Sequence, residues 1–391
     1  MRKLGLLLSL FATLLISGNA TAQQSENLGF NLIVVGDSQP QTKEQLAELK
    51  DVIIPQIRTI VEEYRATGYP TALLITGDVV WDTMRFLPRV KEAFESLDIP
   101  IYTVIGNHDH NRFHRYNEER AERNYIKTFG PRNQSFMLGE TLFVTFDNIS
   151  YYRSYSEEVD SKQLVWLSEL MESIPSDQRV AVCMHASATD FTTNTLKPYI
   201  KPLVSILGDR EVHFVTGHRH NHDTADIGDN IIEHSVAQVN GNLWYAPICS
   251  DGMPRGVFCI EERNGEWQWH HRILGESPEK QLIAWERGFV KDNEEYVVVK
   301  VIGWDNKWSV EWSEDGEYIG AMEQIEILDP DYMHYVETEA KYDKKYMERL
   351  LKSAHPHKHY FRCKPTSNNS VITITATDRF GRIFTTTLEQ K

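Results

Sequence analysis

Ala72-Leu73-Leu74-Ile75-Thr76-Gly77-Asp78 is followed, one helix later, by Ile101 to Ile105 and then Gly106-Asn107-His108-Asp109. Each is a short apolar run that ends in glycine and a side chain able to bind a cation. Runs of this length, apolar at consecutive positions, read as strands buried on both faces. The same unit recurs in both directions. Upstream, Leu32 to Val35 ends in Gly36-Asp37-Ser38-Gln39. Leu46, Leu49, Ile53, Ile57, Ile60 and Tyr64 then recur at three- and four-residue steps, which predicts an amphipathic helix kinked at Pro55. Arg85 to Leu97 predicts the next helix. Downstream come a strand over Leu142 to Phe146, a helix over Ser161 to Ile174, and a strand from Val180 to Met184 that runs into His185. A helix near Lys197 to Leu207 leads to the strand Val212 to Thr216 and then to Gly217-His218-Arg219-His220. From Ile231 to Ile273 the pattern is strands and turns only. Alternating strands and helices predict an α/β domain whose ligands lie beyond the carboxyl ends of the strands.

The chain has 391 residues, enough for two domains, with 41% hydrophobic and 25% charged residues. Disordered, collagenous and low-complexity classes do not fit that composition. Lys and Arg total 41 against 56 Asp and Glu, a formal charge of −15. No diffuse basic footprint exists for a phosphate backbone, so general nucleic-acid binding is not expected. An anionic ligand would need locally placed positive charge, and bound metal ions supply it.

Arg2 and Lys3 precede an apolar run from Leu4 to Ile16 and the small-residue stretch Ser17 to Ala22. This pattern predicts a secretory signal peptide over residues 1–22, hence a periplasmic or secreted protein with no membrane span after cleavage. The four cysteines, Cys183, Cys249, Cys259 and Cys363, are too spread out for a disulfide framework. Cys249 and Cys259 either face each other across a hairpin or are buried free thiols. The catalytic unit is placed at 23–275. Residues 276–391 change character, with strands predicted at Glu295 to Ile302, Trp308 to Trp312, Val371 to Thr377 and Arg382 to Leu388, and form a smaller, mostly β domain.

Five strand ends thus deliver carboxylate, amide or imidazole groups to one edge: Asp37 and Gln39, Asp78, Asn107 and His108, His185, then His218 and His220. Mixed oxygen and nitrogen donors of this kind suit a pair of divalent ions such as Mn, Fe or Zn. Singly, a Gly-Asp pair or a strand-end histidine is ordinary turn or core chemistry; five in order are not.

The order D-x-[H/Q], GD, GNHD, H, GHxH resembles the calcineurin-like metallophosphoesterases, over residues 28 to about 272. Trp304 to Trp308, Asp315-Gly316, Asp329-Pro330 and Asp378 to Gly381 are similar to a C-terminal domain attached to some bacterial members. The resemblance implies a β-sandwich flanked by helices and hydrolysis of a phosphomonoester or phosphodiester, on a small molecule or glycan, by a metal-bridging water or hydroxide. It implies that Asp37, Gln39, Asp78 and His220 hold one ion and Asp78, Asn107, His185 and His218 the other. His108 would protonate the leaving group, with Asp82 orienting it; the competing role for Asp82 is a helix N-cap. Most members have His where this chain has Gln39, and a neutral, harder amide oxygen favours Mn or Mg over Zn.

Arg112, Arg115 and Arg219 are candidates for phosphate recognition. His110 and His114 read as exposed loop residues, and Asp109 as a turn or cap residue. His355-Pro-His357-Lys-His359 reads as a solvated strand edge. Trp244, Tyr245 and Asp251 to Gly256 are expected to wall the pocket, with loops 110–135 and 186–196 setting its shape. The alternative function is a catalytically silent, metal-dependent binder of phosphorylated glycans or envelope polymers. In the C-terminal domain, Trp304, Trp308 and Trp312 are either core or a sugar-stacking face.

Overall fold

The computed structural model describes residues 29–339 and 344–389; the expected signal peptide lies outside them. The strands in chain order are β1 (Gly29–Val35), β2 (Thr71–Ile75), β3 (Ile101–Thr103), β4 (Gln134–Leu138), β5 (Thr141–Thr145), β6 (Ile149–Tyr152), β7 (Ser154–Glu157) and β8 (Val180–Cys183). They continue with the short pair β9 (Thr189–Asp190) and β10 (Thr195–Leu196), then β11 (Val212–Thr216), β12 (Asp223–Asp226), β13 (Ile231–Ser235), β14 (Gly256–Arg263) and β15 (Glu266–Ile273). Two sheets result, ordered β15-β14-β1-β2-β3 and β12-β13-β11-β8-β5-β4. β1, β2 and β3 are mutually parallel, as are β5, β8, β11 and β13.

Burial on both faces explains the unbroken apolar runs. Phe30, Leu32 and Val34 of β1, with Ala72 and Leu74 of β2, face Phe143, Ala181, Cys183 and Val215 of the other sheet. Ile33, Val35, Leu73 and Ile75 turn the other way, onto the helices α1 (Lys43–Glu48), α2 (Ile54–Ala66) and α3 (Leu87–Glu95). The second sheet is covered by α5 (Ser161–Glu172) and α6 (Lys201–Leu207), while α4 (Glu118–Phe129) adds Tyr125 to the first core. The architecture is therefore a β-sandwich flanked by helices. The kink expected at Pro55 takes the form of a π-helical turn, Leu49–Ile53, between α1 and α2. Widening there accommodates a proline that has no N–H and whose ring crowds the preceding turn.

The C-terminal part begins with β16 (Leu282–Trp285) and continues with β17 (Val297–Val301), β18 (Ser309–Glu314), β19 (Glu317–Ala321), β20 (Glu323–Ile327), β21 (His357–Cys363), β22 (Val371–Thr377) and β23 (Ile383–Glu389). They form two four-stranded antiparallel sheets, β16-β17-β21-β20 and β19-β18-β22-β23, around one apolar core. Trp312 lies in that core and Trp304 and Trp308 pack against it, so these rings are occupied rather than presented to sugars. Two helices that the sequence reading did not anticipate, α7 (Pro330–Thr338) and α8 (Lys344–Ser353), join β20 to β21. All four cysteines are buried and free.

The second part is fastened to the first by polar contacts. Arg379 donates to both oxygens of Asp226, at 3.0 and 3.1 Å, and to Asp305 at 2.7 Å. Asn242 donates to Tyr332 Oη at 2.6 Å and to Ser353 Oγ at 2.7 Å. Arg379→Ala would leave Asp305, whose side chain is 1% exposed, without its cation, at a cost of about 3 kcal/mol. Urea denaturation of the full chain would register this as a lowered midpoint; an unchanged midpoint would assign the pair no role in stability.

Candidate metal centre

The parallel strands point their carboxyl ends at one edge of the sandwich, and the loops leaving β1, β2, β3, β8 and β11 bring the seven predicted ligands together there. Asp37, Gln39 and His185 are fully buried, Asp78 and Asn107 nearly so. Asp78, His185 and His218 offer ligand atoms within 4.8 Å of one another, as do Asp37, Asp78 and His220. Gln39 reaches the second group through its Nε2, 2.7 Å from Asp78 Oδ2 and 3.3 Å from His220 Nε2. Asn107 reaches the first through its Oδ1, 3.1 Å from His185 Nε2.

The backbone is strained to achieve this. Gln39, Asp78, His218 and His220 have φ of 40°, 47°, 64° and 63°, and Asp82 has 53°. Left-handed conformations cost non-glycine residues on the order of 1 kcal/mol each and cluster where function requires them. The glycines that precede the ligands are steric requirements of the same kind. A Cβ on Gly106 would lie 2.2 Å from both the backbone nitrogen and Oδ1 of Asp78. Gly106→Ala must therefore displace Asp78; we expect Mn²⁺ affinity, read by calorimetry, to fall by about tenfold or more. Wild-type affinity in the variant would show that the loop relaxes freely.

The hydrogen bonding calls for a cation. The Thr76 carbonyl can only accept, so His185 Nδ1 donates to it at 2.8 Å, and Nε2 is the ring atom that faces the cluster. It lies 3.4 Å from Asp78 Oδ1 and 3.1 Å from both Asn107 Oδ1 and His218 Nδ1. Burial opposes a charged His185, yet the Asp78 carboxylate, with Asp37 behind it, raises it to about 10, so Nε2 carries a proton at the position a metal ion would take. Burial would raise Asp78, but His185 and His108 hold it below the usual carboxylate range. Burial and the neighbouring His185 charge lower His218 to about 4, which leaves it neutral, as a metal ligand must be. On the other side, His220 Nε2 approaches Asp37 Oδ2 at 3.0 Å, and Gln39 Oε1 is buried with no partner. Turning that amide places the oxygen toward the same acceptors, a position only a cation makes favourable. The donor set thus fits two divalent ions.

Beside this cluster, His108 Nδ1 lies 3.1 Å from Asp82 Oδ1, and the Asp82 N–H donates to the His108 carbonyl at 3.1 Å. Asp82 therefore contacts the imidazole; the N-cap position that follows belongs to Thr83. Burial disfavours the His108 cation, but Asp82 and Asp78 outweigh it and raise the ring above its ordinary value. Trp81 stacks on His108 with centroids 4.0 Å apart. Asp109 accepts from the backbone N–H groups of Val79, Val80 and Gly106, which ties the β2 and β3 loops together. Burial and the Asp78 charge push it up to about 7.

Several outer residues fall elsewhere than expected. His110 is buried, stacked on Tyr151, with Nδ1 donating to the Gly106 carbonyl at 2.9 Å; only His114 is exposed. Arg112 lines the cleft, whereas Arg219 pairs with Asp223 at 2.8 Å and lies over Phe191. Arg115 is exposed on the lip, over Tyr116. Trp244 donates to the Ser38 carbonyl at 2.9 Å behind the ligands. The loop Asp251 to Gly256 packs against the C-terminal part, where Tyr360 donates to the Asp251 carbonyl and Lys300 to that of Gly252. Of His355, His357 and His359, only His355 is exposed: successive rings lie 5.1 and 5.6 Å apart, and His359 is buried against Asp251, so the tract is not a solvated edge throughout. Among the described residues no three of their ligand atoms converge.

The cleft, about 500 Å³, is lined by Asp78, Asn107, His218 and His220 of the candidate ligands, by Asp82 and His108, and by Arg112, Tyr151, Ser154 and Tyr155. The β6–β7 hairpin that supplies the last three was missed by the sequence reading. The polar, aromatic run Tyr151-Tyr-Arg-Ser-Tyr155 directly after a buried strand was its available signal.

No curated protein matches the chain. Among solved structures it is similar to a dimetal phosphatase from Danio rerio, with 13% identity and a TM-score of 0.41 over 62% of this chain and 99% of that one. It is also similar to a purple acid phosphatase from yellow lupin, with 12% identity and a TM-score of 0.46 over 64% of this chain and 52% of that one. A third likeness is to a 5'-nucleotidase from Candida albicans, with 12% identity and a TM-score of 0.41 over 64% and 52%. The family model for the C-terminal domain of calcineurin-like phosphoesterases matches residues 233–384, and that for calcineurin-like phosphoesterase itself matches residues 30–233, which hold all seven candidate ligands: the chain belongs to the calcineurin-like phosphoesterase family.

Proposed function

We propose that this chain is an exported, dinuclear-metal hydrolase that cleaves a phosphomonoester or phosphodiester of a small molecule or glycan. The observation that carries the reading is the convergence of cation-seeking donors beside an imidazole held by a carboxylate. Asp37, Gln39, Asp78 and His220 would hold one ion, and Asp78, Asn107, His185 and His218 the other. When bound, two dications supply Lewis acidity toward phosphoryl oxygens and acidify water. Asp82 receives the His108 Nδ1–H, which favours the imidazolium and leaves an Nε2–H for the departing oxygen. Arg112, 3.4 Å from Asp82, stands at the cleft wall to orient an anionic substrate. The His108–Asp82 pair supports hydrolysis over silent binding, because recognition alone has no use for a positioned proton. Residues 1–22 support export to the periplasm or beyond.

The test is a side-by-side assay of a nitrophenyl phosphate monoester and diester with Mn²⁺, with Asp78→Asn as the blank. Faster turnover of one ester assigns phosphatase or phosphodiesterase; no Mn²⁺-dependent turnover above the blank overturns hydrolysis in favour of binding. Gln39→His addresses the metal. The wild type is expected to prefer Mn²⁺, and the variant to move toward Zn²⁺ as imidazole replaces an amide oxygen. Unchanged preference in competitive metal titrations would remove Gln39 from the ligand set.

A further inference from the structure

The lip of the cleft is formed by residues 111–117 and by the β6–β7 hairpin. Four of the six exposed aromatic rings among the described residues lie there: Phe113 at 85%, Tyr116 at 61%, Tyr152 at 62% and Tyr155 at 42% exposure. The two segments act as one surface. The Arg153 N–H donates to the Arg115 carbonyl, and Tyr116 meets Tyr152 edge to face at 6.0 Å. Three arginines are interleaved with the rings: Arg112 over Phe113, Arg115 over Tyr116 and Arg153 over Tyr152, at 5.2 to 5.9 Å. Among the described residues neither Arg115 nor Arg153 has a carboxylate within ion-pair distance, in a chain of formal charge −15.

A second observation concerns the hairpin tip. Tyr152 pairs directly with Ser154, so Arg153 alone makes the turn, with φ at 66°. Glycine or asparagine would occupy that conformation at lower cost. The tip thus carries a long cation where the backbone favours a small residue. Continuity with the cleft is direct, since Arg112, Tyr151, Ser154 and Tyr155 line it beside Asp78 and His108, and Tyr155 lies edge-on to His218 at 5.4 Å.

We infer that this lip is a substrate-binding platform for the part of the phosphoester beyond the scissile phosphate, namely an organic ring that carries a second anionic group. The inference rests on the phosphoesterase reading. Exposed rings stack on a planar or sugar ring, and unpaired guanidinium groups take a second phosphate or carboxylate. Nucleotides and phosphorylated sugars share this chemistry. An anionic lipid surface is the competing occupant, but the lip offers planar cations and rings without aliphatic side chains.

The experiment uses the full chain in Mn²⁺ buffer and the double variant Phe113→Ala/Arg153→Gly. Glycine fits the tip conformation, so loss of function in the variant does not reflect a broken hairpin. Calorimetry compares α,β-methyleneadenosine 5′-diphosphate with methylenediphosphonate, which has the anions but no ring. Wild type is expected to bind the ring-bearing probe about tenfold more tightly, and the variant to lose that margin. In parallel, kcat/KM for adenosine 3′,5′-bisphosphate, a phosphomonoester whose ring system carries a second phosphate, should fall about tenfold in the variant, with 4-nitrophenyl phosphate within about twofold of wild type. Equal affinity of the wild type for both probes, or an undiminished margin in the variant, overturns the platform. Binding of phosphatidylglycerol vesicles by wild type but not variant, with no ring preference, also overturns it and identifies a membrane surface. If wild type hydrolyses neither ester, the phosphoesterase reading falls, while the calorimetric comparison still decides the platform.

Discussion

Asp78→Asn is expected to lower phosphoester hydrolysis by about a thousandfold or more, the loss of several kcal/mol of Lewis-acid stabilisation at about 1.4 kcal/mol per factor of ten. Asp78 is the residue common to both groups of candidate ligands. Its Oδ1 accepts from the His108 backbone N–H at 2.8 Å and faces His185, and its Oδ2 accepts from Gln39 at 2.7 Å. Asparagine keeps the shape but removes the charge, and either orientation of its amide sets an N–H₂ against one of these two donors. A second readout separates this from misfolding. Mn²⁺ at a hundredfold excess over its Kd should stabilise the wild type by about 2.7 kcal/mol against unfolding, and the variant by far less. A variant that melts like apo wild type yet gains no stability from Mn²⁺ is the expected result. A variant with wild-type metal stabilisation would place the ions elsewhere.

His108→Ala should separate substrates by their leaving groups. If the imidazole protonates the departing oxygen, alkyl phosphates lose about 10²- to 10⁴-fold, whereas 4-nitrophenyl phosphate, whose phenolate leaves without a proton, loses much less. Asp82, which reaches His108 at 3.1 Å without lining up with the metal ligands, is a positioning residue. Asp82→Asn should therefore repeat the leaving-group signature in weaker form. A series of aryl and alkyl phosphates measures it as a steeper dependence of log kcat on leaving-group pKa in both variants. Equal losses across the series would show that His108 stabilises charge in the transition state rather than transferring a proton.

The legible part of this protein was local. Consecutive apolar residues such as Leu32 to Val35 and Ala72 to Ile75 admit few structures, because a short segment with no polar face must be buried on both sides. Once those strands are parallel, their carboxyl ends share one edge, and Asp37, Asp78, Asn107, His185 and His218 meet there without further information. Amphipathic spacing likewise predicted the helix over Leu46 to Tyr64, although the π turn before Pro55 depends on how that proline is accommodated.

The illegible part was set by packing between distant segments. His110 reads as a loop histidine until Tyr151, far along the chain, covers it. Arg219 sits between two candidate ligands, yet it turns from the cleft to lie over Phe191, which the loop between β9 and β10 supplies, beside its near neighbour Asp223. His359, which reads with His355 and His357 as a solvated strand edge, is instead covered by the Asp251 loop. Arg349 on α8 lies over Trp81, the ring stacked on His108, a contact between domains that no local pattern announces. By itself the sequence determined the buried strands, the helices between them and the donor set, because burial periodicity and strand-end chemistry are properties of neighbouring residues; the sandwich came from the family resemblance. Only the tertiary structure decided the walls of the cleft, the arginine that faces it and the lip that extends it, because those follow from long-range contacts whose partners are separated by many tens of residues.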